Sequence, residues 1–452
     1  MTADTPPDAA RNAFAAAAAA WRDNRPADAE QGFAAAALLA PGWATAHANL
    51  GAALRRRGCS EAAVASYRRA LAIGPEDAST LSNMGNALRD LGRLEEAERA
   101  HRRAVELAPG NRGFRYNLAL LLRDRRRHAE ARAMFAELAA EEPGNAEYQW
   151  DLALADLYLG DYRRGFAGYE WRARLARNPA RVLPGPRWDG GDPSGRTILL
   201  LSEQGFGDAL QFVRYVPLLA GRGARVILEC LPEQVELFAR LSGVAMVVAK
   251  GETPPPHDCW APLASLPHLM ETRFEAIPAD VPYLTPPPRP NLRLEPPPGE
   301  KLAVGLVWAG KTTPRDRSWP LEELFPLLDD PRAGFYSLQL GPRAEDLRRT
   351  GADRLVRDAG PVLKSFADTA HLMSRLDLVI TIDTSVAHLA GALGRPVWVL
   401  LRYVSDWRWQ DEPLTSPWYP TMRLFRQPAP ADFRTPVAEM AAALAALIQE
   451  RA

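Results

Sequence analysis

The sequence predicts a multidomain chain, an all-α repeat solenoid followed by two Rossmann-like α/β domains. Three observations carry this reading. Prolines stand at Pro41, Pro75, Pro109 and Pro143, a spacing of 34 residues, which is the length of one helix-turn-helix unit of a solenoid. From Thr197 onward, short β-branched and leucine runs alternate with helical stretches, the pattern of parallel sheets. Between two such stretches lies TPPPRPNLRLEPPP, residues 285–298, which can be neither helix interior nor central strand. At 452 residues the chain also exceeds one ordinary core, so two or three domains are expected.

In the first part, small residues recur in register with the prolines. Gly51, Gly85, Ala119 and Ala153 mark places where two helices approach closely, and Ala29, Ala63, Ala97 and Ala131 form a second set. Four residues beyond these come Phe33, Tyr67, His101 and Phe135. Proline ends the second helix of each unit. This register resembles the tetratricopeptide repeat, as four units over residues 10–143 and a degenerate fifth to about residue 175. The resemblance implies a concave groove that grips a protein segment; the alternative is an array that only covers the next domain. Trp150, Tyr158, Tyr162, Phe166, Tyr169 and Trp171 break the pattern of the fifth unit and read as an aromatic cap docking onto the α/β half. The expected division is a capped array over 1–177, a linker over 178–195, α/β domains over 196–284 and 300–452, and a proline-rich linker over 285–299.

In the first α/β domain, strands are expected at Thr197–Leu201, 225–228 and 244–248, with helices at 209–220 and 234–241. In the second, strands are expected at 302–308, 335–340, 354–356, Leu378–Ile382 and Val397–Leu401, and a helix over 436–448 closes the chain. The most informative stretch is DLVITIDTSVAHLAGALGRPVWVLL, residues 377–401. A buried strand gives way to Asp383-Thr384-Ser385, a helix N-cap signal; the helix runs to Gly394, and Pro396 opens the next strand. A helix that starts at the carboxyl end of a parallel strand offers free N–H groups and a positive dipole end to a phosphate. The hydroxyls of Thr384 and Ser385 and the imidazole of His388 would add donors on that side. The alternative is a plain cap with His388 as an ordinary surface histidine.

Two further turns bear chemistry. SEQGFGD, residues 202–208, comes after the first strand, but a Rossmann fingerprint would need its third glycine where Leu210 stands. Its carboxylates are Glu203 and Asp208. WAGKTTPRDRSWP, residues 308–320, carries Lys311 and Arg317 after the first strand of the second domain. DWRWQDEPLTSPWYP, residues 406–420, is either an aromatic platform for a base or sugar, or cover for the end of the sheet.

Asp383-Thr384-Ser385-x-x-His388-Leu389-Ala390-x-Ala392-Leu393-Gly394-x-Pro396 resembles the donor segment of the bacterial ADP-heptose glycosyltransferases (glycosyltransferase family nine, the lipopolysaccharide heptosyltransferases). The resemblance implies a GT-B fold with its active site in the cleft between the two Rossmann-like domains. It also implies inverting, metal-independent transfer from a nucleotide-diphosphate sugar, ADP-heptose type first, without a cofactor. On its motifs, Gly207-Asp208 supplies the general base, with Glu203 as competitor and Gly205 and Gly207 forming the acceptor-side loop. Arg317, ahead of Trp319-Pro320, or Lys311 meets the donor phosphate beside Asp383, Thr384, Ser385 and His388. The acceptor would be a protein or glycan recruited by the repeats. The chain departs from the family in having Ser385 where glycine is usual, and Leu400-Leu401-Arg402-Tyr403 in place of a Gly-Pro-Thr loop. Two alternatives stay open: a GT-B-related nucleotide-sugar epimerase, and a repeat scaffold with a degenerate transferase domain.

Composition narrows the partners. Lysine plus arginine and aspartate plus glutamate number 55 each, so no global charge favours nucleic acid or an anionic membrane. Cys59, Cys230 and Cys259 have no metal or redox spacing. No apolar run reaches the roughly 20 residues needed to span a bilayer, and the first residues lack a signal-peptide pattern. A cytoplasmic protein is expected.

Overall fold

The computed structural model describes residues 5–178, 181, 183–294, 301–312, 316–411 and 413–450. The chain forms two compact units, residues 1–155 and 156–452.

The first unit is a row of antiparallel helix pairs: α1 (Asp8–Arg22) and α2 (Pro26–Leu39), α3 (Ala44–Arg56) and α4 (Ser60–Ile73), α5 (Ala78–Asp90) and α6 (Leu94–Leu107), α7 (Arg112–Asp124) and α8 (His128–Glu141). The next helix is α9 (Ala146–Tyr158). The repeated small and aromatic positions make the core. Phe33, Tyr67, His101 and Phe135 are all fully buried. A Cβ on Gly51 would stand 2.7 Å from the Tyr67 ring, and one on Gly85 2.7 Å from the His101 ring, so these positions admit no side chain. The turn inside each pair uses one left-handed residue at a repeating place: Asn24, Gly58, Gly92 and Arg126, with φ of 58°, 82°, 73° and 60°.

The second unit holds two parallel sheets. α10 (Tyr162–Tyr169) precedes the first, which consists of β1 (Thr197–Leu201), β2 (Arg225–Cys230), β3 (Val244–Ala249) and β4 (Cys259–Pro262) in the order β3-β2-β1-β4. The second consists of β5 (Leu302–Leu306), β6 (Ala333–Ser337), β7 (Val356–Asp358), β8 (Leu378–Ile382), β9 (Val397–Leu401) and β10 (Met422–Arg426), in the order β10-β9-β8-β5-β6-β7. Counted from its own first strand, that order is the doubly wound 3-2-1-4-5-6 arrangement, whose strand order reverses between β5 and β8. The interior strands β6, β8 and β9 are buried along their whole length, as parallel strands covered on both faces are.

Several boundaries differ from expectation. The helix expected over 209–220 is two, α11 (Phe206–Phe212) and α12 (Tyr215–Gly221). The helix breaks ahead of Pro217, which has no N–H for the Val213 carbonyl, and the Arg214 guanidinium at the break is buried and donates to the Pro278 and Trp418 carbonyls at 3.0 and 2.8 Å. β5 ends at Leu306 rather than 308, because the Gln339 side chain takes the N–H groups of Trp308 and Ala309 at 3.2 and 2.9 Å. β6 ends at Ser337, where the sequence suggested 340, and β7 starts at Val356 after a short turn over Ala352–Arg354. β4 and β10 were not foreseen: both are short and bordered by prolines, which masks a strand signal. The stretch read as a free linker is anchored at its far end, where Trp188 is buried, donates to the Trp260 carbonyl at 2.8 Å and so extends the edge at β4. Of the proline-rich segment, residues 285–294 carry no helix or strand, and 295–300 fall outside the described residues. α13 (Phe366–Met373), α14 (Ser385–Ala392) and the terminal α15 (Arg434–Glu450) complete the second half. Among the described residues no helix is long and apolar enough to cross a membrane.

Candidate functional site

The site forms where the turn after β1 meets the turn after β8. α11 begins at Phe206 behind Gly205, whose N–H is accepted by the Asp208 carboxylate at 3.0 Å. That bond closes the carboxylate back on the helix start and satisfies one orphan donor there. The other Asp208 oxygen takes a 2.7 Å ion pair from Arg408, on the loop after β9. Asp208 is 27% exposed, so the carboxylate reaches solvent.

Gly207 sets the distance between the two halves. A Cβ there would lie 2.8 Å from His388 Cδ2 and 3.6 Å from Ser385 Cα, so the start of α11 rests directly on the start of α14. Gly205, by contrast, has φ of −75° and its would-be Cβ meets only the Asp208 carboxylate at 3.3 Å. Its role is to begin the helix rather than to permit contact.

At the start of α14, Thr384 occupies the N-cap position with extended backbone, φ −141° and ψ 175°, yet its hydroxyl makes no cap bond. It faces the Thr381 hydroxyl at 3.4 Å instead. The sequence signal for a cap is therefore met in conformation and not in side-chain hydrogen bonding; the Ala387 N–H donates to the Thr384 carbonyl at 3.1 Å, which leaves the amides of Ser385 and Val386 as the orphan donors of the first turn. Ser385 is half-buried beside it. Gly310, on the loop after β5, lies against the Thr384 methyl group, where a Cβ would meet it at 2.9 Å.

His388 is a buried part of the wall. Nδ1 lies 2.9 Å from the Tyr419 hydroxyl, and the ring stacks on Trp409 at 5.3 Å between centroids. Burial, with Arg408, Arg214 and Arg317 nearby, holds its ionisation well below the usual histidine range, so it is neutral. Its burial sets aside the alternative of a surface histidine.

Arg317 Nη1 donates to Asp383 at 2.9 Å, and the side chain stays 40% exposed. Burial pushes the Asp383 carboxyl up, Arg317 opposes this, and Asp406 adds to it. Asp383 thus orients Arg317. Lys311 is exposed and shows no bond among the described residues; Thr313, Pro314 and Arg315 of the same loop lie outside them.

Glu203 stands in the same turn as Asp208, its side chain 24% exposed and with an arginine on one oxygen, as Asp208 has. Arg172, fully buried after α10, donates to Glu203 Oε1 at 3.0 and 2.7 Å and also binds Glu170 and the Ser265 hydroxyl. Burial raises the Glu203 carboxyl, with Arg172 opposing. The tryptophans of residues 406–420 are cover: Trp407, Trp409, Trp418 and Tyr419 are at most 1% exposed. Tyr162 stacks on Trp418 at 5.8 Å, and Phe166 meets Trp407 edge-on at 5.6 Å, so the aromatic cap packs against this loop.

Residues 363–434 match the model of glycosyltransferase family 9 (heptosyltransferase), and residues 43–110 and 88–157 match tetratricopeptide repeat models. The chain joins tetratricopeptide repeats to a glycosyltransferase family 9 domain. It is 29% identical over 302 residues to Protein FlbA of Caulobacter vibrioides, covering 60% of this chain and 50% of that protein. The chain thus spans about half the length of the curated relative it matches. Among solved structures it is similar to YrrB, a tetratricopeptide repeat protein with an unusual peptide-binding site, at 20% identity and a TM-score of 0.32, covering 37% of this chain and 86% of that one. It is also similar to MamA of Desulfovibrio magneticus RS-1, at 16% identity and a TM-score of 0.36, covering 39% and 100%.

The family 9 segment contains α13, β8, α14, β9, β10 and the loop bearing Arg408. Sequence reasoning passed over Arg408, Arg172 and Gln339. The first sits between two tryptophans read as cover, and the others pair with residues far along the chain, so no local spacing marked them.

Proposed function

We propose that this chain is a glycosyltransferase that moves a sugar, with inversion and without a metal, from a nucleotide-diphosphate donor to an acceptor brought by the repeats. The observation that carries this reading is the junction at Gly207. It sets a solvent-reaching carboxylate, Asp208, on one sheet against an uncapped helix start, Thr384–Ser385, on the other. The donor diphosphate would take the amides at the start of α14, where the helix dipole favours an anion, with Arg317 as the neighbouring cation. Arg317, held by Asp383, would stabilise negative charge as the nucleotide departs. Asp208 would accept the proton of the attacking acceptor hydroxyl. Lys311 is a second cation on the same loop. An ADP-heptose-type donor is the first expectation because the matched family is the heptosyltransferase family.

The repeats would recruit a protein or glycan acceptor. In the array, a hollow of about 580 Å³ is lined by Trp21, Asn49, Arg55, Arg56, Asn83 and Asp90, among others. Its walls come mainly from the first helices of successive pairs, the arrangement with which solenoids hold extended chains. The test is a thermal-shift screen with ADP-, GDP- and UDP-sugars, followed by product analysis. A ligand that binds only the native state raises Tm by mass action. One nucleotide class should raise Tm, and its sugar should appear on an acceptor. A released isomer of the donor would instead mark an epimerase, and no shift with any of the three would favour the scaffold.

A further inference from the structure

We propose that Arg408 is a positioning residue that fixes the Asp208 carboxylate for proton transfer; the inference rests on Asp208 being the general base. Arg408 is 7% exposed in the whole residue. Its three nitrogens are committed: Nε to the Gln211 side chain, Nη1 to Asp406 at 2.9 Å, and Nη2 to Asp208 Oδ1 at 2.7 Å. Asp208 and Gln211 are three apart on α11 and so lie on one face of it. The planar guanidinium spans both, and Trp407 at 4.4 Å and Phe212 at 5.6 Å hold its plane.

The contrast with Arg317 decides between two roles. Among the described residues Arg317 makes one ion pair, and it is 40% exposed, as a cation that meets a ligand must be. The Arg408 side chain is 8% exposed and bonded along its whole edge, so it acts through what it holds. With Oδ2 tied to the Gly205 N–H and Oδ1 to Arg408, the Asp208 plane is set, and each oxygen keeps a lone pair for an acceptor hydroxyl. Asp208 lies just after β1 of the first sheet, whereas Arg408 lies after β9 of the second. The carboxylate is therefore in its working orientation only while the two halves are together.

The experiment measures donor affinity by calorimetry and transfer turnover for Arg408→Gln and Arg408→Lys, each alone and combined with Asp208→Asn. A base displaced by about an ångström loses on the order of 10²-fold in rate. Arg408→Gln should lose about that much turnover, keep donor affinity within roughly twofold, and be partly restored by lysine. In the Asp208→Asn background neither substitution should cost anything further, because Arg408 acts only through Asp208. Loss of donor affinity in step with turnover, or a full loss in the Asp208→Asn background, overturns the inference. If Arg408→Gln does not fold, Arg408→Lys decides by the same criteria. Wild-type turnover in Asp208→Asn alone would instead remove the base reading on which the inference stands.

Discussion

The junction at Gly207 gives the sharpest perturbation. In Gly207→Ala the new Cβ would stand 2.8 Å from His388 Cδ2, short of an ordinary carbon–carbon contact by roughly an ångström. His388 cannot give way, because Tyr419 binds its Nδ1 and Trp409 stacks on its face, and all three are buried. The two helix starts must separate instead. Overpacking of this kind costs about 1–3 kcal/mol, and alanine inside a helix returns about 0.5–1 kcal/mol relative to glycine. The net destabilisation is thus small, a fall in Tm of a few degrees. The kinetic effect should be much larger, about 10²-fold for an ångström between base and donor seat. Scanning calorimetry and steady-state transfer on one preparation separate the two. A folded Gly207→Ala protein with wild-type turnover would refute the idea that this contact sets the working distance.

The same geometry and the array give three other expected outcomes. Thr384→Ala should weaken donor binding by only about 0.5–1.5 kcal/mol, the net of one hydrogen bond, whereas Ser385→Glu should abolish it by placing a carboxylate at the helix start; calorimetry with the nucleoside diphosphate measures both. His101, with no partner for either ring nitrogen among the described residues, is lowered by burial to about 4. Its contribution to stability should be complete above pH ~6.5 and decline as pH falls towards 4, because the unfolded chain binds the proton first. The loss is on the order of 3 kcal/mol, and His101→Tyr, which copies Tyr67 against Gly51, should flatten the pH dependence of array melting. Removal of residues 1–143, leaving the aromatic cap, should preserve slow donor hydrolysis while transfer to the native acceptor falls; equal loss of both would show that the repeats serve the chemistry itself.

Legibility tracked the range of the interactions. The 34-residue register was plain because every unit repeats one local packing problem, a small residue facing a ring. The strand at Leu378–Ile382 and the helix after it were plain because a buried parallel strand and a helix start each leave local signals. β4 and β10 were not, since each is held by a neighbour remote in sequence and bordered by prolines. At the site, the sequence proposed the turns, and the structure brings Gly207, Asp208, Thr384, Ser385 and His388 to one junction. It did not reveal the pairings that decide each side chain's freedom. Glu203 and Asp208 resembled each other as candidates, and each takes an arginine distant in sequence, Arg172 and Arg408. For His388 the sequence left a donor-side imidazole or a surface histidine open, and Tyr419 and Trp409, both remote in sequence, make it a buried one.

The most direct test of the account is Asp208→Asn, with donor affinity measured by calorimetry and transfer measured by product formation. A positioned base contributes typically 10²–10⁴-fold. Turnover should fall within that range while donor affinity stays close to wild type, because the seat proposed for the diphosphate is the start of α14 and not α11. Turnover near that of the unaltered protein would contradict the account.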